Sequence, residues 1–498
     1  MHETVTVAGP VVLAVDAGST TAKAQPFDAA GRPLAPVVRS RVTIAPDGTA
    51  DAMAFLASVE SAIDEALARW PGAVDAVAVS CAWHGLVGLG ADGRPTTPLS
   101  TWSATGPAVV AAAEDLRRRL GDAEAAVSRR TGAPVHPSFP AARLLAERVR
   151  DPSAYAATAR WCSIGELLEG CWLAAAPGPS SSMASASGLF DQESRTWDAD
   201  VVEALRLRPA TLAAVDDRPR RGLAAAYRRR WPALAGAVWW PALGDGACAL
   251  LGTGCDRPAG DARDTAGGRR PLRAALTVGT SAAVRVLAGP AQRAARPAGL
   301  FAYLLDADRV VLGAARSNAG NLVEWLSDVL RLDGGGVDLV AEVAARAPGA
   351  HGLVAVPSLA GERSPDWPPA AAGSVSGLHP GTTAVDIAQA FLEAAVAGLA
   401  DGVDRLEGGV GGDLVLVGSG RALASSPAWR QLVADGTGRP VFPSRVEEAS
   451  ARGAAVAALD GLGWQSPVAG DGLDGDPVLP DRTRAEAFAR LRRVGRTG

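Results

Sequence analysis

The chain has 498 residues, long for a single hydrophobic core, so two domains are the default expectation. Its formal charge is −4, from 49 basic and 53 acidic residues, and no basic cluster marks a nucleic-acid footprint, so small molecules are the expected partners. Five cysteines without a C-x-x-C pair argue against a disulfide framework or zinc knuckle and for a reducing cytoplasm. No apolar stretch reaches the roughly 18 residues of a membrane helix, and Asp16 interrupts the apolar run near the N-terminus, which does not read as a signal peptide.

In chain order, the first element is an apolar strand, Val11 to Val15, running into Asp16, Gly18, Ser19, Thr20 and Thr21, with Lys23, the sole lysine, just beyond. A glycine in such a turn lets backbone N–H groups approach a phosphate, and a carboxylate at the strand end can hold a hydrated magnesium ion beside it. An ordinary hairpin turn is the competing reading. A returning strand (Ala22 to Phe27) and a turn at Asp28 to Pro33 complete a meander. Asp51 to Trp70 carries Met53, Phe55, Leu56, Val59, Ile63 and Leu67 at helical spacing, and Val74 to Val79 reads as a buried strand. Pro177 to Ser187, rich in Ser, Gly and Ala, reads as a loop or tight connection, not as a core element. Asp256 to Arg273 reads as an exposed interdomain insertion.

Beyond it the opening pattern recurs. Ala274 to Val278 leads into Gly279, Thr280 and Ser281, and Leu414 to Val417 leads into Gly418, Ser419, Gly420 and Arg421, followed by a helical pattern through Pro427, Trp429, Leu432 and Val433. Three strand-to-turn loops of this kind imply two related lobes around a nucleotide. No Walker A pattern and no strand-linked G-x-G-x-x-G is present. A Gly/Asp/Pro-rich stretch (Ala469 to Asp481) and a basic amphipathic helix (Arg482 to Arg493) close the sequence.

These residues resemble the FGGY carbohydrate kinases over nearly the whole chain. That family's D-x-G-T-T-x-x-K turn is similar to Asp16 through Lys23, with Ser19 for the first Thr. Its W-H-G strand end matches Trp83, His84 and Gly85, and its G-D-[GNQ] catalytic loop matches Gly244, Asp245 and Gly246. Ser317 to Trp325, Gly361 to Trp367 and Gly418 to Asp435 also resemble family segments. The resemblance implies an α/β fold of two ribonuclease H-like, actin-like ATPase domains, about 1–250 and 251–498, with an ATP and sugar cleft between them.

It also implies roles. Asp245 would be the general base for the attacking hydroxyl; Trp83, His84, Trp102 and Gly246 would line the sugar site with it. Asp16 would hold Mg2+ through water; Gly18, Ser19, Thr20, Thr21, Lys23, Gly279, Thr280 and Ser281 would meet the phosphates of ATP. Gly320, Gly418, Gly420 and Arg421 would lie against the adenosine and α-phosphate, with Asn318 and Glu324 as neighbours. Glu65 and Glu393, on helical patterns, read as surface or interlobe charges. A solvated turn aspartate and a packed core edge are the competing readings of Asp245 and of the Trp83–His84 pair.

The sequence departs from the family where W-x-D-x-R is expected after Trp102: Ala104 and Gly106 replace the charged pair. Ser182 to Asp191 with the SNAGN and GERSPDW segments looks closest to the gluconate kinases, with xylulokinases and other pentulose kinases next. The expectation is therefore ATP-dependent phosphorylation of a sugar or sugar acid, gluconate first, with a homodimer left open. An actin-like, ATP-gated binding protein is the rival of another class; Trp83, His84 and Asp245 argue against it.

Overall fold

The structure, a computed structural model, describes residues 9–256, 271–332, 336–359, 361–368, 372–464 and 475–494. The chain forms two units: residues 1–252, 302–311 and 448–471 make the first, and 253–301, 312–447 and 472–498 the second. The stretches 302–311 and 448–471, read from sequence with the second half, thus cluster with the first unit.

The first unit is built on a sheet ordered Val238–Trp239, Ala76–Cys81, Val12–Ala17, Thr21–Phe27, Val38–Arg41, with Leu243–Gly244 also paired to Ala76–Cys81. Val12–Ala17 runs antiparallel to Thr21–Phe27 and parallel to Ala76–Cys81. Because it is covered on both faces, Val12–Ala17 is buried throughout and reads as a continuous apolar run rather than an alternating one.

One face carries two helices, Asp245–Gly252 and Ala449–Gly461, whose Cys248, Ala451, Ala454, Ala455 and Ala458 join Val12, Ala14, Ala76 and Ala78 in one core. Small side chains let these helices touch at backbone distance. A Cβ on Gly453 would stand 1.7 Å from the Cys248 carbonyl oxygen, and one on Gly252 would stand 1.9 Å from that of Ala449. The helix Ala52–Arg69 buries Phe55, Leu56, Val59 and Ile63, with Asp51 capping its N-terminus; Met53, expected on the apolar face, is exposed.

The second unit repeats the plan. Leu272–Val278 runs antiparallel to Ala282–Ala288 and parallel to Leu414–Ser419, which is parallel to Val441–Pro443. The hairpin of Phe301–Leu304 and Val310–Arg316 continues this sheet, and its tip is counted with the first unit. A central strand with one antiparallel and one parallel neighbour occurs in both sheets, so the duplication inferred from the turns extends to the topology.

Two readings are corrected here. Ser180 to Ala186 is a buried helical turn (helix Ser181–Ser185), not a loop outside the core: the Ser180 Oγ accepts the Met183 N–H and donates to the Ala242 carbonyl, and Asp217 accepts from Ser181. Serines enter a core when each hydroxyl has a partner. Glu393 is no surface charge either; it is buried, accepting from Gln389 at 2.7 Å and from the Gly349 N–H at 2.9 Å beside His351. Glu65 is exposed and paired with Arg69 one turn on.

Of the expected insertion, residues 257–270 lie outside the described residues, whereas Leu272 and Arg273 belong to a strand, with Arg273 buried. Residues 469–474 of the Gly/Asp/Pro-rich stretch also lie outside them, and the terminal helix spans Arg482–Val494. Among the described residues no helix is long and apolar enough to cross a membrane.

Candidate active site

Parallel pairing brings the key carboxylates of the first unit to one sheet edge. Asp16 is in register with Ser80 on the parallel neighbour, and Gly244, the residue before Asp245, is in register with Cys81. Both acids therefore stand at the carboxyl ends of their strands, where open α/β sheets place ligands.

Asp16 is buried, its Oδ1 accepting from Ser80 Oγ at 2.9 Å and its Oδ2 from Lys23 Nζ at 3.3 Å. Burial raises its pKa, and the Lys23 charge and the Ser80 hydroxyl offset part of that rise. Lys23 also reaches Glu448 Oε2 at 2.8 Å, and Glu448 pairs with Arg39 at 2.5 Å. Burial works to lower the Lys23 pKa, but the two carboxylates outweigh it and hold the ammonium above its ordinary range. A Cβ on Gly18 would stand 2.9 Å from the Thr21 carbonyl, so the tight turn through Ser19 and Thr20 requires glycine there. Thr20 is exposed, and Ser19 and Thr21 are half-buried.

Asp245 is the first residue of the helix Asp245–Gly252, a tighter placement than the Gly-flanked turn read from sequence. Its Oδ1 accepts the Gly246 N–H at 2.8 Å and lies 3.5 Å from the backbone nitrogen of Trp83. Gly244 makes room for Trp83: a Cβ there would lie 1.7 Å from the indole nitrogen. That nitrogen donates to the Ser182 carbonyl at 3.1 Å, and Ser182 Oγ accepts the Gly244 N–H at 3.1 Å. The buried serine turn thus holds the Trp83 ring and the strand leading to Asp245 together.

His84 has a left-handed backbone, φ 67°, uncommon for a non-glycine residue. Its Nδ1 lies 2.6 Å from the Ala186 carbonyl oxygen, an acceptor, so the proton resides on Nδ1. Tyr303, buried at the hairpin tip, sets its ring edgewise against Trp83 at 4.9 Å and His84 at 5.5 Å, and Phe139 meets His84 at 4.8 Å. Trp102 is half-buried and follows Thr101, whose carbonyl accepts from Arg143; Ala104 is buried and Gly106 precedes a helix, Pro107–Leu120.

The second unit gathers its own cluster. The Gly320 N–H donates to the Gly279 carbonyl at 2.9 Å and the Asn321 N–H to that of Thr280 at 3.2 Å, so the helix Gly320–Leu330 starts on the Gly279–Ser281 turn. A Cβ on Gly320 would lie 2.4 Å from the Gly279 oxygen. Gly418 and Ser419 are in register with Leu276 and Thr277, and Gly420, at φ 87°, would place a Cβ 2.8 Å from the Val278 oxygen. Gly279, Thr280, Ser281, Gly320, Gly418 and Gly420 therefore meet at one end of this sheet, and Arg421 opens the short helix that follows. Asn318 is buried and donates to the Gly361 carbonyl at 3.2 Å, while Glu324 is exposed.

Sequence reasoning missed Ser80, Ser182, Tyr303, Arg143 and Glu448. Only Arg143 left a signal, as a cation on an otherwise apolar helical face.

The chain is similar to known proteins over most of its length. Residues 11–220 match the model of the FGGY family of carbohydrate kinases, N-terminal domain, and residues 274–460 match that of its C-terminal domain. An apulose kinase of Pectobacterium atrosepticum is 30% identical over 481 residues, 91% of this chain and 90% of that one. A glycerol kinase of Geobacter sp. is 28% identical over 476 residues, again covering 91% and 90%. The crystal structure of gluconate kinase from Lactobacillus acidophilus superimposes with a TM-score of 0.83 at 22% identity, covering 98% of this chain and 97% of that one, and shows the same fold.

Both units have the ribonuclease H-like, actin-like fold. The chain belongs to the FGGY family of carbohydrate kinases, enzymes that phosphorylate a sugar with ATP.

Proposed function

We propose that this kinase phosphorylates a sugar acid, gluconate before a pentulose such as xylulose, with Asp245 as general base. The observation that carries the reading is the position of Asp245: it opens a helix at the carboxyl edge shared with Asp16, and its carboxylate stands 3.5 Å from the backbone of Trp83. A base must lie beside the group that positions the hydroxyl, and here base and candidate sugar-binding segment adjoin.

In this reading the buried Trp83 and Tyr303, edge to face at 4.9 Å, form the apolar backing of the site, and the ring of His84, protonated at Nδ1, meets a sugar hydroxyl. Asp245 takes the hydroxyl proton as the oxygen attacks the γ-phosphate. Lys23 draws the phosphate charge, while Gly18 to Thr21, Gly279 to Ser281, Gly320, Gly418, Gly420 and Arg421 receive the nucleotide. Asp16, already bonded to Ser80, suits a magnesium ion held through water, because that ion takes one or two carboxylates and keeps most of its waters. Magnesium neutralises phosphate charge when bound.

The choice of gluconate is supported by the SMASASGLFD, SNAGN and GERSPDW segments. A coupled ADP-release assay over aldonates, ketopentoses, polyols and ketohexoses tests it. Highest kcat/KM on gluconate is expected; turnover confined to neutral sugars overturns the sugar-acid assignment.

A further inference from the structure

Arg143 lies in the helix Pro140–Arg150 between the buried Ala142 and Leu144, and is itself 1% exposed. Its guanidinium donates to the carbonyls of His84 and Thr101, and to Ser138 O and Ser100 Oγ at 3.3 Å each. All four partners are uncharged. Among the described residues no carboxylate lies within ion-pair distance of it, its Nε has no hydrogen-bond partner, and Glu147, the acid whose field reaches it, is engaged by Arg150 at 3.1 Å. Burial brings its pKa down to about 9, which still leaves it cationic at neutral pH.

A buried charge without a counter-charge costs several kcal/mol, so proteins pair such groups or let a ligand complete them. The location favours the second account. His84 is a candidate sugar-site residue, Thr101 adjoins Trp102, and Ser138 adjoins Phe139, whose ring meets that of His84.

We propose that Arg143 makes the sugar site selective for anionic substrates: its charge, uncompensated by the protein, is balanced through space by the carboxylate of a bound aldonate. The inference rests on the sugar-acid reading above but not on turnover. One surplus unit charge beside the site is expected to be worth roughly tenfold in affinity for an anion.

The test is calorimetric binding of gluconate and of glucitol, a neutral polyol of equal chain length, to the nucleotide-free full chain as wild type, Arg143→Lys and Arg143→Gln. Wild type is expected to prefer gluconate by at least about tenfold; Arg143→Gln, which keeps donors but no charge, should lose roughly that factor for gluconate alone, and Arg143→Lys should retain most of it. Equal loss for both ligands makes Arg143 a backbone clamp and overturns the proposal. So does equal affinity of the two ligands for wild type, a result that needs no variant to fold. Selective binding of gluconate without its phosphorylation leaves this inference standing and removes the substrate assignment; phosphorylation with an unchanged ratio in Arg143→Gln does the reverse.

Discussion

Asp16 and Lys23 stand directly opposite one another across the antiparallel pair Val12–Ala17 and Thr21–Phe27, with Nζ 3.3 Å from Oδ2. Seven residues of sequence close into one contact because the Gly18 turn is short. The ammonium is shared with Glu448, at 2.8 Å, so the cation proposed to meet phosphate is held by two carboxylates.

Lys23→Met should raise the KM for ATP about tenfold, the scale of one charge-assisted hydrogen bond of about 1.5 kcal/mol. Sugar affinity measured without nucleotide should stay nearly unchanged. Steady-state kinetics with calorimetric sugar binding checks both, and unaltered ATP kinetics would remove Lys23 from the nucleotide site.

Gly244→Ala should disrupt the site from behind, because the new Cβ would occupy the Trp83 indole position, 1.7 Å from its nitrogen. Overpacking of this kind costs about 1–3 kcal/mol, and the displaced ring would lose its bond to Ser182. Thermal unfolding and sugar KM should both worsen. Gly236→Ala, with nothing within 4 Å of its Cβ, is the matched control and should be near neutral.

Glu169 gives the stability a pH signature. Burial pushes its carboxyl up, and although Arg220 and the Ala242 N–H, bonded at 2.7 Å, offset part of that rise, it stands at about 7. An acid whose folded pKa exceeds its unfolded value favours the folded state when protonated. Its contribution is therefore full below about 4.5 and lost as pH rises through about 7, a span worth about 3 kcal/mol. Chemical denaturation from pH 4.5 to 8 should show wild type losing stability more steeply than Glu169→Gln, which keeps an acceptor for Ala242. Identical slopes would mean that Glu169 does not titrate in this range.

The strand-to-turn loops were legible because each combines an apolar run with a turn that needs small residues, two local signals that agree. Topology then followed from their repetition. The serine turn at 180–186 was not legible: Ser-Gly-Ala composition is the same in a solvent loop and in a core where every hydroxyl is bonded, and the partners Ala242 and Gly244 lie some 60 residues away. Tyr303 was hidden for a related reason, since a hairpin tip from the second half of the sequence is counted with the first unit. Glu448 follows another glutamate in an exposed-looking stretch, and only the fold brings it to Lys23.

Asp245→Asn should reduce sugar phosphorylation by roughly 10²- to 10⁴-fold, the usual range of general-base assistance. Asparagine keeps the shape of the side chain, and its carbonyl oxygen can still accept the Gly246 N–H that Asp245 holds at 2.8 Å, so the helix start and both ligand affinities should survive. What is lost is the capacity to take a proton. Asp16→Asn should also slow turnover, but through phosphate and magnesium placement, and should therefore shift the magnesium requirement, which Asp245→Asn should leave alone. Single-turnover phosphorylation at saturating sugar, ATP and magnesium separates the two, because binding defects vanish at saturation and a missing base does not. An Asp245→Asn protein that stays within a few-fold of wild type under those conditions would rule Asp245 out as the base.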